Sequence, residues 1–124
     1  MLVNITLLLR MSDSTDFALH FPGLNYCGPG TDLEKRLEPD GVTPKPRYRP
    51  VDRIDEASLR HDIFYRDHPS ERERIVGDDI MLKELSEIPS PTFRERLERV
   101  IVYPLLLIKK KIVTFALWCM SGDM

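Results

Sequence analysis

The spacing of the prolines is the feature that most constrains how this 124-residue chain can fold. Proline lacks a backbone N–H and its ring clashes with the preceding helical turn, so helix interiors rarely contain it. Pro50, Pro69 and Pro89 therefore bound two segments of ordinary helix length. Because only a short link at Pro69 separates these segments, we expect two antiparallel neighbouring helices and a mainly α-helical fold.

Polar residues at the expected helix starts support this division. Asp52 or Asp55 can cap the first helix by accepting a hydrogen bond from its free backbone N–H groups. Ser70 followed by Glu73 has the capping-box pattern, and we expect the second helix to run from there to about Ile88.

A third, amphipathic helix is predicted beyond residue 91 from apolar residues at helical spacing. They are Phe93, Leu97, Val100, Ile101, Leu105 and Ile108. Pro104 should kink this helix, and the lysines at 109–111 separate it from the apolar run at 112–120, so neither half reaches the roughly 20 residues that span a bilayer. Two interpretations stay open: a segment lying on a membrane surface, or a helix packed on the other two with a solvated lysine patch.

Composition and charge exclude several classes of protein. With 42% hydrophobic and 31% charged residues, the chain is an ordinary globular domain. Its net charge of -2 provides no general attraction to nucleic acid, which we do not expect as a partner, or to anionic lipid, so any basic function must come from a local cluster. Cys27 and Cys119 do not form the disulfide framework of a small secreted domain, and residues 1–9 lack a basic start and a cleavage site, so classical secretion is not expected.

The first long helix carries the residues most suited to chemistry. His61 and Tyr65, four residues apart, share a face with the apolar stripe that includes Ile54 and Ala57, so His61 should point inward. Asp62 is turned about 100° from them and can serve a second task. The alternative is a partly buried histidine with its hydrogen bonds satisfied beside a surface carboxylate.

Asp78 on the second helix is the expected partner of His61. It shares a stripe with Ile75, Leu82 and Leu85, whereas Asp79 falls at the edge of that stripe. The two side chains lie at similar distances from the Pro69 link, so they can meet across the helical pair. A buried carboxylate needs such a partner, because burying it unpaired costs several kcal/mol.

Residues 21–30 form a loop rich in residues that dictate backbone geometry. Gly28 and Gly30 permit torsions that other residues resist, and Pro29 stiffens the link between them, so successive carbonyls can turn toward one point. Converging carbonyls suit a hard cation, although a plain turn is the simpler interpretation.

Together these stretches resemble the phospholipase A2 superfamily. The resemblance rests on Pro-Gly-Leu-Asn-Tyr-Cys-Gly-Pro-Gly at 22–30, His-Asp-Ile-Phe-Tyr at 61–65 and the inward Asp78. It extends in particular to the cysteine-poor phospholipase domain in the unique N-terminal region of the parvoviral minor capsid protein. The predicted organisation is an N-terminal arm at 1–20, a phospholipase A2-like core at 21–88 and a C-terminal amphipathic helix at 89–124.

The resemblance implies one calcium ion, held by the backbone carbonyls of Tyr26, Gly28 and Gly30 and by the carboxylate of Asp62. Calcium accepts such oxygen ligands in a loose shell that water completes. A single carboxylate implies weak binding. The implied partners are therefore calcium and a phospholipid membrane, with no particular oligomeric state.

The resemblance also implies hydrolysis of the sn-2 ester of glycerophospholipids. His61 would activate a water molecule, Asp78 would orient His61, and Tyr65 would support that network. Calcium and the amide of Gly28 would stabilise the oxyanion. Two other classes stay open: a non-catalytic calcium- or membrane-binding module, and a structural segment of a virion.

Three departures accompany the resemblance. The position that pairs with Cys27 in secreted relatives is Ser58 here, so that disulfide cannot form. The connection from Gly30 to the catalytic helix is longer than in the parvoviral domain, and the link between the helices is shorter. The chain also continues into a hydrophobic helix, where a capsid protein has a β-rich shell domain.

Overall fold

The computed structural model describes residues 23–28 and 31–121. It contains four helices and one 3-10 turn, in the order α1 (Leu33–Arg36), 3-10 turn (Pro46–Tyr48), α2 (Arg53–Asp67), α3 (Glu71–Ser86) and α4 (Phe93–Met120). Among these residues there is no β-strand, only an isolated bridge between Leu37 and Pro44. The predicted mainly α-helical fold is confirmed, and the predicted arm at 1–20 lies outside the described residues.

Each long helix begins at a side-chain cap. Asp52 caps α2 by accepting a hydrogen bond from the backbone amide of Asp55 at 2.9 Å. Ser70 caps α3 in the same way. The full capping box is at α4, where Thr92 and Glu95 each accept from the other's backbone amide, a pattern that sequence inspection did not single out.

The two central helices, α2 and α3, are antiparallel. Arg60 contacts Glu84 at 2.9 Å and His61 contacts Asp78 at 2.7 Å, so later residues of α2 meet earlier residues of α3. The predicted helical pair is therefore present, although α3 ends at Ser86 rather than near residue 88. This pair is the frame on which the candidate site is built.

One apolar core joins the loop, the helical pair and α4. Its buried residues are Leu24, Cys27, Ile54, Ala57, Met81, Leu82, Leu85 and Leu106. A smaller cluster consists of Tyr26, Leu37 and Leu59. Because Leu106 belongs to the main cluster, α4 packs on the other helices.

Both cysteines are free thiols. The Cys27 thiol lies beside the hydroxyl of Ser58, which itself donates to the carbonyl of Ile54 at 2.9 Å. Burial raises the pKa of Cys27 to about 11, which keeps the thiol protonated and unreactive at neutral pH. The core therefore contains a thiol–hydroxyl contact at the position of the missing disulfide.

The amphipathic helix predicted beyond residue 91 is present as α4, and the apolar residues that predicted it lie outside the core. Its apolar stripe faces outward, with Phe93 77% and Leu105 62% exposed. The inward side chains are those of Glu95, Glu98, Leu106, Val113 and Ala116. Counting apolar residues along α4 favours the opposite face, but that count ignores the partner that α2 offers to Glu95.

An arginine supplies that partner. Arg53 at the start of α2 binds Glu95 through its backbone amide at 3.1 Å and through a guanidinium N–H at 2.7 Å. The same guanidinium donates to the carbonyl of Pro89, which ties down the link before α4. Glu98 accepts from Arg94 at 2.6 Å. Of these contacts, those of Arg53 join α4 to α2 and set the rotation of α4 about its own axis.

The lysines at 109–111 do not form one solvated patch. Lys109 donates to the Tyr65 hydroxyl at 2.9 Å, and Lys110 forms an ion pair with Asp79. Lys111 alone of the three is exposed. The patch divides because α4 turns about 100° per residue, so three consecutive side chains cannot share one face.

We predict that Glu95 stabilises the fold in a pH-dependent manner. The hydrogen bonds from Arg53 lower the pKa of Glu95 from 4.5 to about 2. A carboxyl whose pKa is lowered by folding contributes stability above its unfolded pKa, and this contribution is lost as the pH falls through the folded pKa. Wild type should therefore exceed Glu95→Gln in free energy of unfolding by about 2 kcal/mol near neutral pH.

This difference should shrink as the pH falls from 4.5 toward about 2, measured by urea denaturation at several pH values. Glu84→Gln is the matched control, because its pair with Arg60 is largely exposed and such pairs contribute about 0–1 kcal/mol. A Glu95→Gln effect that is the same at every pH would contradict the account.

Candidate functional site

The centre of the candidate site is a histidine–carboxylate pair between α2 and α3. His61 Nε2 lies 2.7 Å from Asp78 Oδ1. Both side chains are buried. A carboxylate can only accept a hydrogen bond, so Nε2 carries the proton and Nδ1 keeps a lone pair. This arrangement leaves one imidazole nitrogen available as a base.

Close packing of the two helices makes this contact possible. Gly77 precedes Asp78 on α3, and a Cβ atom at that position would lie 2.7 Å from the ring of Phe64 on α2. Only glycine leaves this space for the ring. The close approach brings the Asp78 carboxylate within hydrogen-bonding distance of His61.

Tyr65 extends the pair into a network. Its hydroxyl donates to Asp78 Oδ1, the same oxygen that His61 contacts. The ring centroids of Tyr65 and His61 are 4.1 Å apart. Burial, with the nearby Asp78 carboxylate, raises the pKa of Tyr65 well above its usual range, so the hydroxyl stays protonated and continues to donate.

Lys109 of α4 completes the network, which sequence analysis did not anticipate. Its ammonium donates to the Tyr65 hydroxyl at 2.9 Å and lies 4.5 Å from the centroid of the Tyr65 ring. A hydroxyl that accepts a hydrogen bond from a cation becomes a stronger donor, here to Asp78. Lys109 follows the buried Leu106 by three residues, so helical spacing indicates its inward direction only once the rotation of α4 is known.

Asp62 faces the loop side of α2. Its Oδ1 lies 3.9 Å from His61 Nδ1, too far for a strong hydrogen bond. Burial raises the pKa of Asp62. Its Oδ2 is buried and has no hydrogen-bond partner within residues 23–28 and 31–121. An orphaned buried carboxylate oxygen of this kind is suited to binding a cation.

The Thr31 hydroxyl links Asp62 to the loop. It lies 3.3 Å from the carbonyl oxygen of Gly28 and also hydrogen-bonds the Asp62 carboxylate. One hydroxyl proton can serve only one of these two oxygens at a time. The predicted ligands Gly28 and Asp62 are thus neighbours, whereas Gly30 lies outside the described residues.

Asp55 anchors the loop to α2. Its buried carboxylate accepts from the backbone amides of Asn25 at 3.0 Å, Tyr26 at 2.7 Å and Val51 at 3.0 Å. The Tyr26 hydroxyl donates to the carbonyl of Tyr48 at 2.7 Å. Asp55 was predicted only as a possible helix cap; its position about two turns before Asp62, on the same helix face, is the signal that could have revealed this contact.

A cleft of about 170 Å³ opens between α2 and α3 beside the pair. It is lined by Ala57, Arg60, His61, Phe64, Gly77, Ile80, Met81 and Glu84. Most of these side chains are apolar. A larger cavity of about 320 Å³ between α3 and α4 contains none of the predicted site residues, so the smaller cleft is the relevant one.

Comparison with known protein families matches residues 17–99 to the phospholipase A2-like domain. The chain belongs to the phospholipase A2-like family. In the same comparisons no curated protein and no solved structure matches the chain. The match covers the loop, the helical pair and the first turns of α4, so this phospholipase A2-like domain includes every predicted site residue.

The described part of this phospholipase A2-like domain offers few side chains that could ligate a metal ion. Within the described residues no three His, Cys, Asp or Glu side chains form a group suited to a metal ion. Any ion bound here would depend on backbone carbonyls, with Asp62 as the carboxylate. This donor set suits calcium better than zinc, which prefers histidine and cysteine.

We predict that the two adjacent aspartates of α3 differ sharply in importance. Asp78 is buried against His61, whereas the side chain of Asp79 is 53% exposed beside Lys110. Asp78→Asn should lower turnover of a soluble ester by about a hundredfold or more, because His61 loses its orienting carboxylate. Asp79→Asn should change turnover by less than about twofold and serves as the control. Equal losses would contradict the assigned geometry.

We predict that Lys109 acts on turnover through Tyr65. Lys109→Met should lower kcat for a soluble ester on the order of tenfold and leave KM nearly unchanged, because the lysine lies behind the tyrosine. In a Tyr65→Phe background the same change should cost nothing further. Lys83→Met, at an exposed position of α3, is the control. Additive losses from Lys109 and Tyr65 would contradict this relay.

Proposed function

We propose that this protein is a calcium-dependent phospholipase A2 that hydrolyses the sn-2 ester of glycerophospholipids in membranes. The observation that carries the proposal is the geometry of His61. Its Nε2 is bonded to the buried Asp78 carboxylate, and its Nδ1 is directed to the Asp62 side. Family membership supports the reaction class.

His61 is the general base of the proposed reaction. Its Nδ1 takes a proton from a water molecule as that water attacks the ester carbonyl. The Asp78 carboxylate holds the ring in the required tautomer and stabilises the imidazolium that forms. His61 then returns the proton to the glycerol oxygen as the acyl C–O bond breaks. The products are a fatty acid and a lysophospholipid.

The charge on His61 is balanced by its neighbours. Burial on its own would lower the pKa of His61, but the carboxylates of Asp62 and Asp78 outweigh burial and raise the pKa above its ordinary value. The Tyr65 hydroxyl donates to Asp78, and Lys109 donates to the Tyr65 hydroxyl. These donors limit how strongly Asp78 competes for the imidazole proton.

Asp62 and the carbonyls of Tyr26, Gly28 and Gly30 would hold calcium. The buried, unpartnered Oδ2 of Asp62 and its link through Thr31 to the Gly28 carbonyl support this assignment. When bound, calcium supplies positive charge that polarises the ester carbonyl and offsets the developing oxyanion. The Gly28 amide is the proposed second donor to that oxyanion.

The cleft beside His61 is the proposed acyl-chain site. Ala57, Phe64, Ile80 and Met81 give it apolar walls, and Arg60 and Glu84 pair at its rim. A fatty acyl chain is the apolar group that an sn-2 ester brings with it, and apolar clefts with a few polar groups are typical binding sites. The ester carbonyl would then lie near His61.

We predict that Asp62 determines calcium dependence. Fatty-acid release from mixed phospholipid vesicles should require calcium and stop with a chelator. Asp62→Asn removes the only proposed carboxylate ligand, so half-maximal activity should need on the order of a hundredfold more calcium, or activity should be lost. Calcium binding measured by calorimetry should weaken in parallel.

Asp67→Asn is the matched control for Asp62→Asn, because the exposed Asp67 lies on the same helix and pairs with Arg66. It should leave the calcium requirement unchanged. Normal calcium binding by Asp62→Asn would overturn the metal assignment. Calcium binding without fatty-acid release by wild type would instead favour a non-catalytic module.

A further inference from the structure

The outward face of α4 is an unusually long exposed apolar surface. It is formed by Leu97, Val100, Leu105, Ile108, Ile112 and Phe115, which we call the outer stripe. At 1.5 Å per residue the outer stripe is about 27 Å long. Contiguous apolar surface of this size marks an interaction site.

The acidic side chains of α4 face inward, and its exposed charged side chains are basic. The helix contains two acidic residues, and both are buried: Glu95 against Arg53 and Glu98 against Arg94. The exposed charged residues of α4, Arg96 and Lys111 among them, are all basic. By helical phase Arg96 and Lys111 lie along one edge of the outer stripe, and α4 itself exposes no carboxylate.

This combination fits an anionic lipid surface. The outer stripe can enter the boundary between headgroups and acyl chains, while Arg96 and Lys111 at its edge meet lipid phosphates. A second copy of the chain fits less well, because a symmetric antiparallel pair would bring these like charges together. No helix in the described part of the chain has the apolar length to cross a bilayer.

We propose that α4 lies flat on an anionic phospholipid surface through the outer stripe and docks the domain there. The proposal deepens the proposed function, on which it rests for the identity of the lipid partner. The inward face of the same helix carries Lys109, which contacts Tyr65. The catalytic network is therefore about one helix diameter, roughly 10 Å, from the docked surface.

The test is vesicle cosedimentation of the full chain without calcium, so that binding is measured apart from hydrolysis. Wild type should bind vesicles of phosphatidylcholine with phosphatidylserine, and more weakly at high salt or with phosphatidylcholine alone. Val100→Glu/Leu105→Glu places two carboxylates on the outer stripe. It should weaken binding on the order of tenfold or more, because both charges must enter the interface.

The matched control is Val42→Glu/Val76→Glu, which adds the same charge at side chains that are 53% and 51% exposed and do not belong to α4. It should bind within about twofold of wild type. Thermal melting of both variants checks that each folds. Equal weakening by the two variants would overturn the proposal, since only net charge would then matter.

Two further outcomes separate the hypotheses. Absence of vesicle binding by wild type, together with a dimer that Val100→Glu/Leu105→Glu dissociates, would make the outer stripe a self-association surface and overturn the proposal. Vesicle binding that depends on the outer stripe, without fatty-acid release in calcium, would support docking while the proposed function fails.

Discussion

The carboxylate of Asp78 is buried inside the helical pair, where leaving it without partners would cost several kcal/mol. Three side chains from two helices therefore converge on it: His61 and Tyr65 from α2, and Lys109 of α4 through the tyrosine. The same contacts that offset the free-energy cost of burying Asp78 also orient the imidazole of His61. Structure and proposed chemistry thus share one set of hydrogen bonds.

Other buried carboxylates join separate segments of the chain by hydrogen bonds. Asp55 joins the loop to α2 through backbone amides, and Glu95 joins α4 to α2 through Arg53. The charged form of Glu98 is less favourable, because burial and the adjacent Asp52 carboxyl raise the pKa of Glu98 to about 7. Each of these contacts has a defined geometry, since a carboxylate accepts hydrogen bonds only along certain directions.

Much of the site could be predicted from the sequence because its spacing is local. The short link at Pro69 sets the depth of α3 against α2, and helical phase then distinguishes Asp78 from Asp79. The rotation of α4 could not be predicted, because it depends on Arg53, some 40 residues earlier in the chain. The apolar residues that predicted α4 lie mostly in the outer stripe. Among the described residues, none of the outer stripe belongs to a core cluster.

The inward direction of Lys109 was missed for the same reason. A run of three lysines suggests a solvated patch, and only the rotation of α4 divides it. The resemblance to the phospholipase A2 superfamily rests on the loop and the His-Asp-Ile-Phe-Tyr run, each of which is a short continuous stretch of sequence. Long-range ion pairs leave no such signature.

The central claim is that His61 activates water to cleave the sn-2 ester. The most direct measurement uses a phospholipid with different acyl chains at its two positions, presented in vesicles with calcium in ¹⁸O-labelled water. The account predicts that only the sn-2 fatty acid is released, that it carries ¹⁸O, and that His61→Gln releases none. Release of the sn-1 acid, label in the lysophospholipid, or full activity of His61→Gln would contradict it.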